Sequence, residues 1–265
     1  MEQKKGVVII TGASSGIGLE TANFLHKKGY KVYGIARRDM TDVDFEFIRA
    51  DVCNNEQMKQ ALQFVFEKEQ KIDVVINNAG MGISGAVEHT EKSRTETIFD
   101  VNTVACMDIC SMAIDYLRKS GGGKIINISS VAAVAAIPFQ SYYSATKSAI
   151  ETFSLALYNE VKKFGIKVTC IRPGDTKTGF TSARVKNEIE TDEHYGEKIA
   201  TSVSKMEKDE QKGKPPVSVS KVVHKVMKRK RPPLVCTVGF GYKCLCVLIK
   251  LLPTRFVNWV IGLLY

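Results

Sequence analysis

Residues 7–18 read Val7-Val8-Ile9-Ile10-Thr11-Gly12-Ala13-Ser14-Ser15-Gly16-Ile17-Gly18, and no other stretch restricts the fold as strongly. Four consecutive β-branched apolar residues suit a strand buried on both faces, as in a parallel sheet. The run closes on glycines and gives way to helical apolar spacing over residues 18–28. Strand, tight glycine turn and helix in that order aim the free N–H groups and positive dipole end of a helix at the strand's end, where a diphosphate can be held. A glycine turn alone could be purely structural; its placement favours a dinucleotide. The spacing is Gly-x3-Gly-x-Gly, and no Lys-Ser/Thr pair follows, which excludes a nucleoside-triphosphate P-loop. Gly12, Ser14, Ser15, Gly16, Ile17 and Gly18 are therefore candidate cofactor-binding residues.

Apolar runs recur at residues 31–35, 46–50, 72–76, 124–128 and 167–171, separated by helical patterns at 18–28, 56–68, 93–118 and 144–164. Strands alternating with helices predict right-handed crossovers and an α/β fold: a single doubly wound, Rossmann-type parallel sheet with helices on both faces. Gly165 fits a left-handed helix cap. From Pro173 to Pro216 the alternation lapses into a polar stretch with helical character around 192–208, longer than a simple connection and suited to covering a substrate. A helix at 218–230 and a strand near 234–238 would complete the sheet. The 265 residues divide on this reading into a dinucleotide-binding and catalytic domain, 1–240, and an amphipathic helical tail, 241–265.

The second strand ends in Ile35-Ala36-Arg37-Arg38. An acid there would bind the ribose hydroxyls of NAD; two guanidiniums are instead placed to meet a 2′-phosphate. Asp39 comes one or two residues late. This local charge argument favours NADP(H) over NAD(H), with Arg37 and Arg38 as the discriminating residues.

Tyr143-Ser144-Ala145-Thr146-Lys147 puts a phenol and an ammonium one turn apart on one helix face. A fixed ammonium favours the phenolate, giving an acid/base able to work near neutral pH. Alone, such a pair is more often a solvated helix face. With its neighbours, however, the sequence resembles the short-chain dehydrogenase/reductase family over about residues 5–240. Thr11-Gly12-x3-Gly16-Ile17-Gly18 is similar to that family's cofactor loop, Asn77-Asn78-Ala79-Gly80 to its motif after the fourth strand, and Tyr143-x3-Lys147 to its active-site signature. Asn102, Ser130 and Pro173-Gly174 fall in order where the family's helix asparagine, active-site serine and later turn belong.

The resemblance implies roles. Ser130 would bind the substrate oxygen, Tyr143 would exchange its proton, Lys147 would hold the nicotinamide ribose and lower the tyrosine pKa, and Asn102 would hold a water that relays protons. Asp51 and Val52 would contact the adenine, Asn78, Ala79 and Gly80 the adenosine ribose, and Thr178, after Pro173 and Gly174, the nicotinamide amide. Ser129 is chemically able, but the family's spacing favours Ser130. Tyr142 is excluded because position 146 is Thr. Asp175-Thr176 departs from the pattern, since an apolar residue is frequent there.

Net charge is +10, yet residues 1–210 carry 27 basic against 28 acidic side chains, so the whole excess lies after Glu210. A basic C-terminal segment, with Leu245, Leu248, Ile249 and Leu252 as an apolar helical stripe and then Phe256–Leu264, suits a helix in a membrane interface with Trp259 and Tyr265 at headgroup depth. The same stripe suits a helix covering the core or an interface with a second copy of the chain. No uncharged run there approaches the ~20 residues of a bilayer span. The start, Met1–Lys5, lacks a secretory pattern, and the seven cysteines lack metal or redox spacing, which points to a cytoplasmic chain, peripheral at a membrane surface. Cys106 and Cys110 read as an apolar helix face. No nucleic-acid recognition motif accompanies the Lys/Arg cluster at 228–231. The expected function is NADP(H)-dependent hydride transfer between nicotinamide and the carbonyl or secondary alcohol of a small lipophilic substrate of steroid, retinoid or long-chain oxoacyl type. The other class left open is a non-catalytic NADP-binding sensor or scaffold.

Overall fold

The computed structural model describes residues 5–186 and 193–265. Its centre is a seven-stranded, wholly parallel sheet of β1 (Val7–Thr11), β2 (Lys31–Ala36), β3 (Glu46–Arg49), β4 (Val74–Asn77), β6 (Gly123–Ile128), β7 (Ile166–Arg172) and β9 (Val235–Thr237). The strands lie in the order β3-β2-β1-β4-β6-β7-β9. Chain direction across the sheet reverses beside β1, with β2 on one side and β4 on the other, and it is outside the strand ends at such a switch point that α/β sheets bind ligands. Two short strands, β5 (Ile83–Ser84) and β8 (Val185–Lys186), pair apart from the main sheet.

Alternation along β1 explains the two layers. Val7 and Ile9 face a core built with α2 (Asn55–Glu69), α4 (Ala105–Lys119) and α5 (Ser141–Val161), through residues such as Leu62, Ile109, Leu117 and Leu157. Val8 and Ile10 face α1 (Gly16–Lys27) and α7 (Val217–Lys228) through Leu25, Val219 and Val223. The strand is continuously apolar because neither face meets water. Gly165 takes φ +76°, the left-handed cap that its position predicted.

Three local readings shift. The continuous helix expected over 93–118 is α3 (Lys92–Phe99), a π-helical turn at Asp100–Val104, and α4. The polar excursion resolves into α6 (Lys198–Gln211), starting later than the pattern around 192–208 suggested; Asp192 itself lies outside the described residues, as do Met1–Lys4 of the N-terminal reading. The tail forms two short helices, α8 (Phe240–Leu251) and α9 (Thr254–Leu264), broken where Pro253 cannot continue the first. Val257 and Ile261 of α9 pack with Cys246 of α8 on Val131 and Ala135, which follow β6. Cys106 and Cys110 are buried in the α2/α4/α5 layer.

Candidate active site

One cavity of about 1190 Å3 runs along the carboxyl ends of the strands. At one end lies the glycine turn. Gly12 has φ +67°, and a Cβ there would stand 2.8 Å from the Ala79 Cα; at Gly18 it would stand 2.2 Å from the Gly12 carbonyl oxygen. Only glycines let β1, α1 and the β4 end approach this closely. Gly18 therefore packs helix to turn, while Gly12, Ser14, Ser15, Gly16 and Ile17 line the cavity. Ser15 caps α1 without a side-chain hydrogen bond, and among the described residues no side chain accepts from the first-turn N–H groups. Open donors at a helix N-terminus beside side-chain-free backbone fit a diphosphate.

The turn is braced by the β4 end. Thr11 Oγ1 accepts hydrogen bonds from the backbone N–H groups of Asn78 and Ala79, both at 3.1 Å, and Asn78 Nδ2 donates to the Thr11 carbonyl at 3.0 Å. Asn78, Ala79 and Gly80 consequently sit in the cavity wall, as do Asp51 and Val52. Arg37 and Arg38 line the same end, exposed beyond the tip of β2. Asp39, the carboxylate that could have favoured NAD, does not line it and is held by Arg49 at 2.9 Å.

In the middle of the cavity Ser130, Tyr143 and Lys147 meet, with Pro173, Gly174 and Thr178 opposite. The Ser130 hydroxyl accepts from the Ala132 N–H at 3.1 Å and lies beside the Tyr143 phenol. Burial pushes that phenol up to about 12, against a smaller lowering by Ser130. The expected effect of the lysine is not what dominates here: Lys147 Nζ lies 5.7 Å from the ring centroid and donates to the Ile128 carbonyl at 3.0 Å. Burial lowers the lysine's own pKa. The Tyr143 phenol is thus neutral near pH 7.

Asn102 lies in the π-helical turn and behind the wall rather than in it. Its Oδ1 accepts from the Met81 N–H at 2.8 Å, and its Nδ2 donates to the Met81 carbonyl at 2.9 Å. A Cβ on Gly80 would fall 3.2 Å from Asn102 Oδ1 and 3.5 Å from Lys147 Nζ, so the two side chains flank one glycine. The widened turn is what brings a helix asparagine to the end of β4.

Sequence reasoning missed a buried network beneath the pair. Glu151, one helical turn after Lys147, accepts from Ser129 Oγ at 2.8 Å and from Arg172 Nε at 2.6 Å, with a second contact from Arg172 Nη2. Ser129 is therefore committed to this network and also contacts the Lys147 carbonyl, whereas Ser130 faces Tyr143. The signal was present as an arginine closing β7 and a glutamate on the buried face of α5. The excursion was expected to cover the substrate, and Phe180 and Met206 of it do line the cavity, but the share of the tail helices in its wall was not legible. Leu248, Ile249, Val260 and Ile261 of the tail helices, with Phe180 and Met206, enclose the far end, where Asp175 and Glu210 are the carboxylates.

Comparison with known proteins gives the family and the fold. A sequence profile described as short chain dehydrogenase matches residues 6–189. A 3-ketodihydrosphingosine reductase from Bacteroides thetaiotaomicron is 38% identical over 235 residues, 88% of this chain and 87% of its own. A probable short-chain type dehydrogenase/reductase from Helicobacter pylori, VdlC, is 34% identical over 203 residues, 75% of each chain. Among solved structures, a short-chain dehydrogenase from Streptomyces avermitilis superimposes with a TM-score of 0.84 at 26% identity, over 98% of this chain and 97% of that one.

Proposed function

The chain belongs to the short-chain dehydrogenase/reductase family, and from that premise we propose that it is an NADP(H)-dependent reductase of long-chain, lipophilic ketones, working through Tyr143, Ser130, Lys147 and Asn102. It is an oxidoreductase of a family whose cofactor is a nicotinamide dinucleotide and whose substrates are small carbonyl or alcohol compounds. The observation that carries the finer reading is the single cavity that joins a proton-donating tyrosine to an apolar wall of tail helices. The name of the Bacteroides relative, a reductase of a keto lipid, supports the substrate class.

The glycine turn, Asp51, Val52, Asn78, Ala79 and Gly80 would hold the dinucleotide's diphosphate and adenosine. Pro173, Gly174 and Thr178 would hold its nicotinamide side. When bound, the nicotinamide supplies the hydride for the carbonyl carbon. The chain's own residues do the rest. Ser130 and Tyr143 hydrogen-bond the carbonyl oxygen, and Tyr143 gives it a proton as the alcohol forms. Lys147 stabilises the phenolate left behind, and Asn102 keeps the wall at Gly80 and Met81 in register.

Arg37 and Arg38 favour NADPH. Each charge-assisted hydrogen bond contributes about 1.5–3 kcal/mol. Replacing both by alanine is expected to raise KM for NADPH by at least about 100-fold and to leave KM for NADH within about two-fold. Equal losses with both dinucleotides would contradict that assignment.

The boundary between a catalytic domain, 1–240, and a tail, 241–265, belongs to this proposal, as does peripheral membrane contact. Phe240 (81% exposed), Leu251 (75%), Leu263 (68%) and Trp259 (60%) point outward while Lys243, Lys250 and Arg255 rim them. Lys92–Lys119 is long and apolar enough to span a bilayer, but Ile98, Ile109, Ala113 and Leu117 on it are buried in the protein, which accounts for its composition. A basic apolar face suits an anionic lipid surface, at about 1 kcal/mol per cation. Sedimentation with phosphatidylglycerol vesicles should exceed that with phosphatidylcholine vesicles by about 100-fold in affinity and fall with salt. Equal sedimentation with both would remove the electrostatic part of the reading.

A further inference from the structure

We propose that Asp175 is a specificity-determining residue that recognises an ammonium group on the substrate, so that the preferred ketone is a long-chain amino ketone with its amine within a few bonds of the carbonyl. This rests on the reductase reading above and narrows it.

The charges lining the cavity are divided along its length. Arg37, Arg38 and Asp51 stand at the cofactor end, where Asp51 lies 3.9 Å from the Arg37 guanidinium, and Lys147 beside Tyr143; toward the tail helices the charged groups are Asp175 and Glu210. Glu210 is already compensated. It pairs with Arg184, whose side chain is fully enclosed, and accepts from Thr181 Oγ1 at 2.7 Å. Asp175 has no such partner: among the described residues no Lys, Arg or His nitrogen lies within 4.0 Å of its carboxylate. Its hydrogen-bond partner is the neutral Tyr242 hydroxyl, donated from α8.

Its placement is fixed by backbone. The Asp175 carbonyl accepts from the Lys214 N–H at 3.0 Å, and the Lys177 N–H donates to the Lys214 carbonyl at 3.0 Å. The Tyr242 ring covers Gly174, where a Cβ would stand 2.2 Å from it. The Val131 N–H, next to Ser130, donates to the Pro173 carbonyl at 2.9 Å, so the Asp175 segment is tied to the loop that carries the serine. A half-buried carboxylate in the cavity wall, with no cation within 4.0 Å among the described residues and Arg184 acting on it only at longer range, is costly to maintain, and burial raises its pKa. A cationic headgroup would offset that cost. An anionic headgroup or carrier phosphate would add to it. Beyond Asp175 the wall turns apolar through Leu248, Ile249, Val260 and Ile261, as an alkyl chain attached to such a headgroup requires.

The test compares a long-chain 2-amino-3-ketone with its desamino analogue of equal chain length, NADPH as reductant, in wild type, Asp175→Asn and Tyr242→Phe. Asparagine keeps an acceptor for Tyr242 and removes the charge. Wild type should prefer the amino ketone, and Asp175→Asn should lower kcat/KM for it by about 10–100-fold through KM, leaving the desamino ketone within about three-fold. Tyr242→Phe should keep the preference. Equal wild-type efficiency with the two ketones, or equal losses on both in Asp175→Asn as a merely structural tie would give, overturns the inference alone. Reduction of neither ketone by wild type overturns the reductase reading and this inference together.

Discussion

Tyr143→Phe is expected to lower turnover by about 10^2–10^4-fold while leaving dinucleotide affinity within about two-fold. The phenol lines the cavity beside Ser130, and its ring can be replaced by phenylalanine without changing the packing against Phe180 at 5.6 Å. What is lost is the proton. Because burial pushes Tyr143 up to about 12, the acid form dominates at neutral pH, which suits carbonyl reduction. Alcohol oxidation needs the phenolate, whose fraction grows with pH. Oxidation should therefore climb steadily through the alkaline range, while reduction stays flat and declines only as the phenol itself ionises. Steady-state rates in both directions across pH, with cofactor affinity measured by fluorescence titration, check this; unchanged turnover in Tyr143→Phe would remove the tyrosine from the chemistry.

The largest loss of stability should follow from breaking the network below the site. Glu151→Leu strands the Arg172 guanidinium in a pocket where its side chain is only 9% exposed. Removing one partner of a buried ion pair costs about 3–5 kcal/mol, a fall of roughly 10 °C in Tm for a chain of this size. The double variant Glu151→Leu with Arg172→Met removes both charges and should recover most of that stability. It should not recover full activity, because Ser129 loses its carboxylate acceptor and the segment holding Ser130 keeps only its links to Lys147 and Ser148 of α5. Thermal denaturation of the two single variants and the double variant checks the coupling; additive losses would show that the pair is not coupled.

The fold was legible because its signals are local. A β-branched run closing on Gly12 and followed by helical spacing specifies strand, turn and helix within some twenty residues, and the later strands repeat the pattern. The Tyr143 and Lys147 pair was legible for the same reason, being one helical turn apart. The π-helical turn at Asp100–Val104 was not. Apolar spacing continues on both sides of it, and one extra residue per turn shifts phase by too little to register against a helix of this length.

Glu151 with Arg172, and Asp175 with Tyr242, were hidden for another reason. Their partners are far apart in sequence and meet only through the sheet order or the return of the tail. The tail itself was readable as amphipathic but not as to what it covers: the same stripe of Leu245, Leu248, Ile249 and Leu252 would serve a lipid surface or a cavity wall. In the structure these residues line the cavity, while Phe240, Leu251, Trp259 and Leu263 are left facing outward.

The central claim is that this chain reduces a long-chain ketone at Tyr143 with NADPH, and stoichiometry tests it most directly. Purified protein mixed with NADPH and a long-chain keto lipid should consume one NADPH for each alcohol formed, both followed in the same sample by absorbance and mass spectrometry. Tight NADPH binding with no oxidation across steroid, retinoid, oxoacyl and amino-ketone substrates would contradict the account and make the chain a dinucleotide-binding protein without redox chemistry.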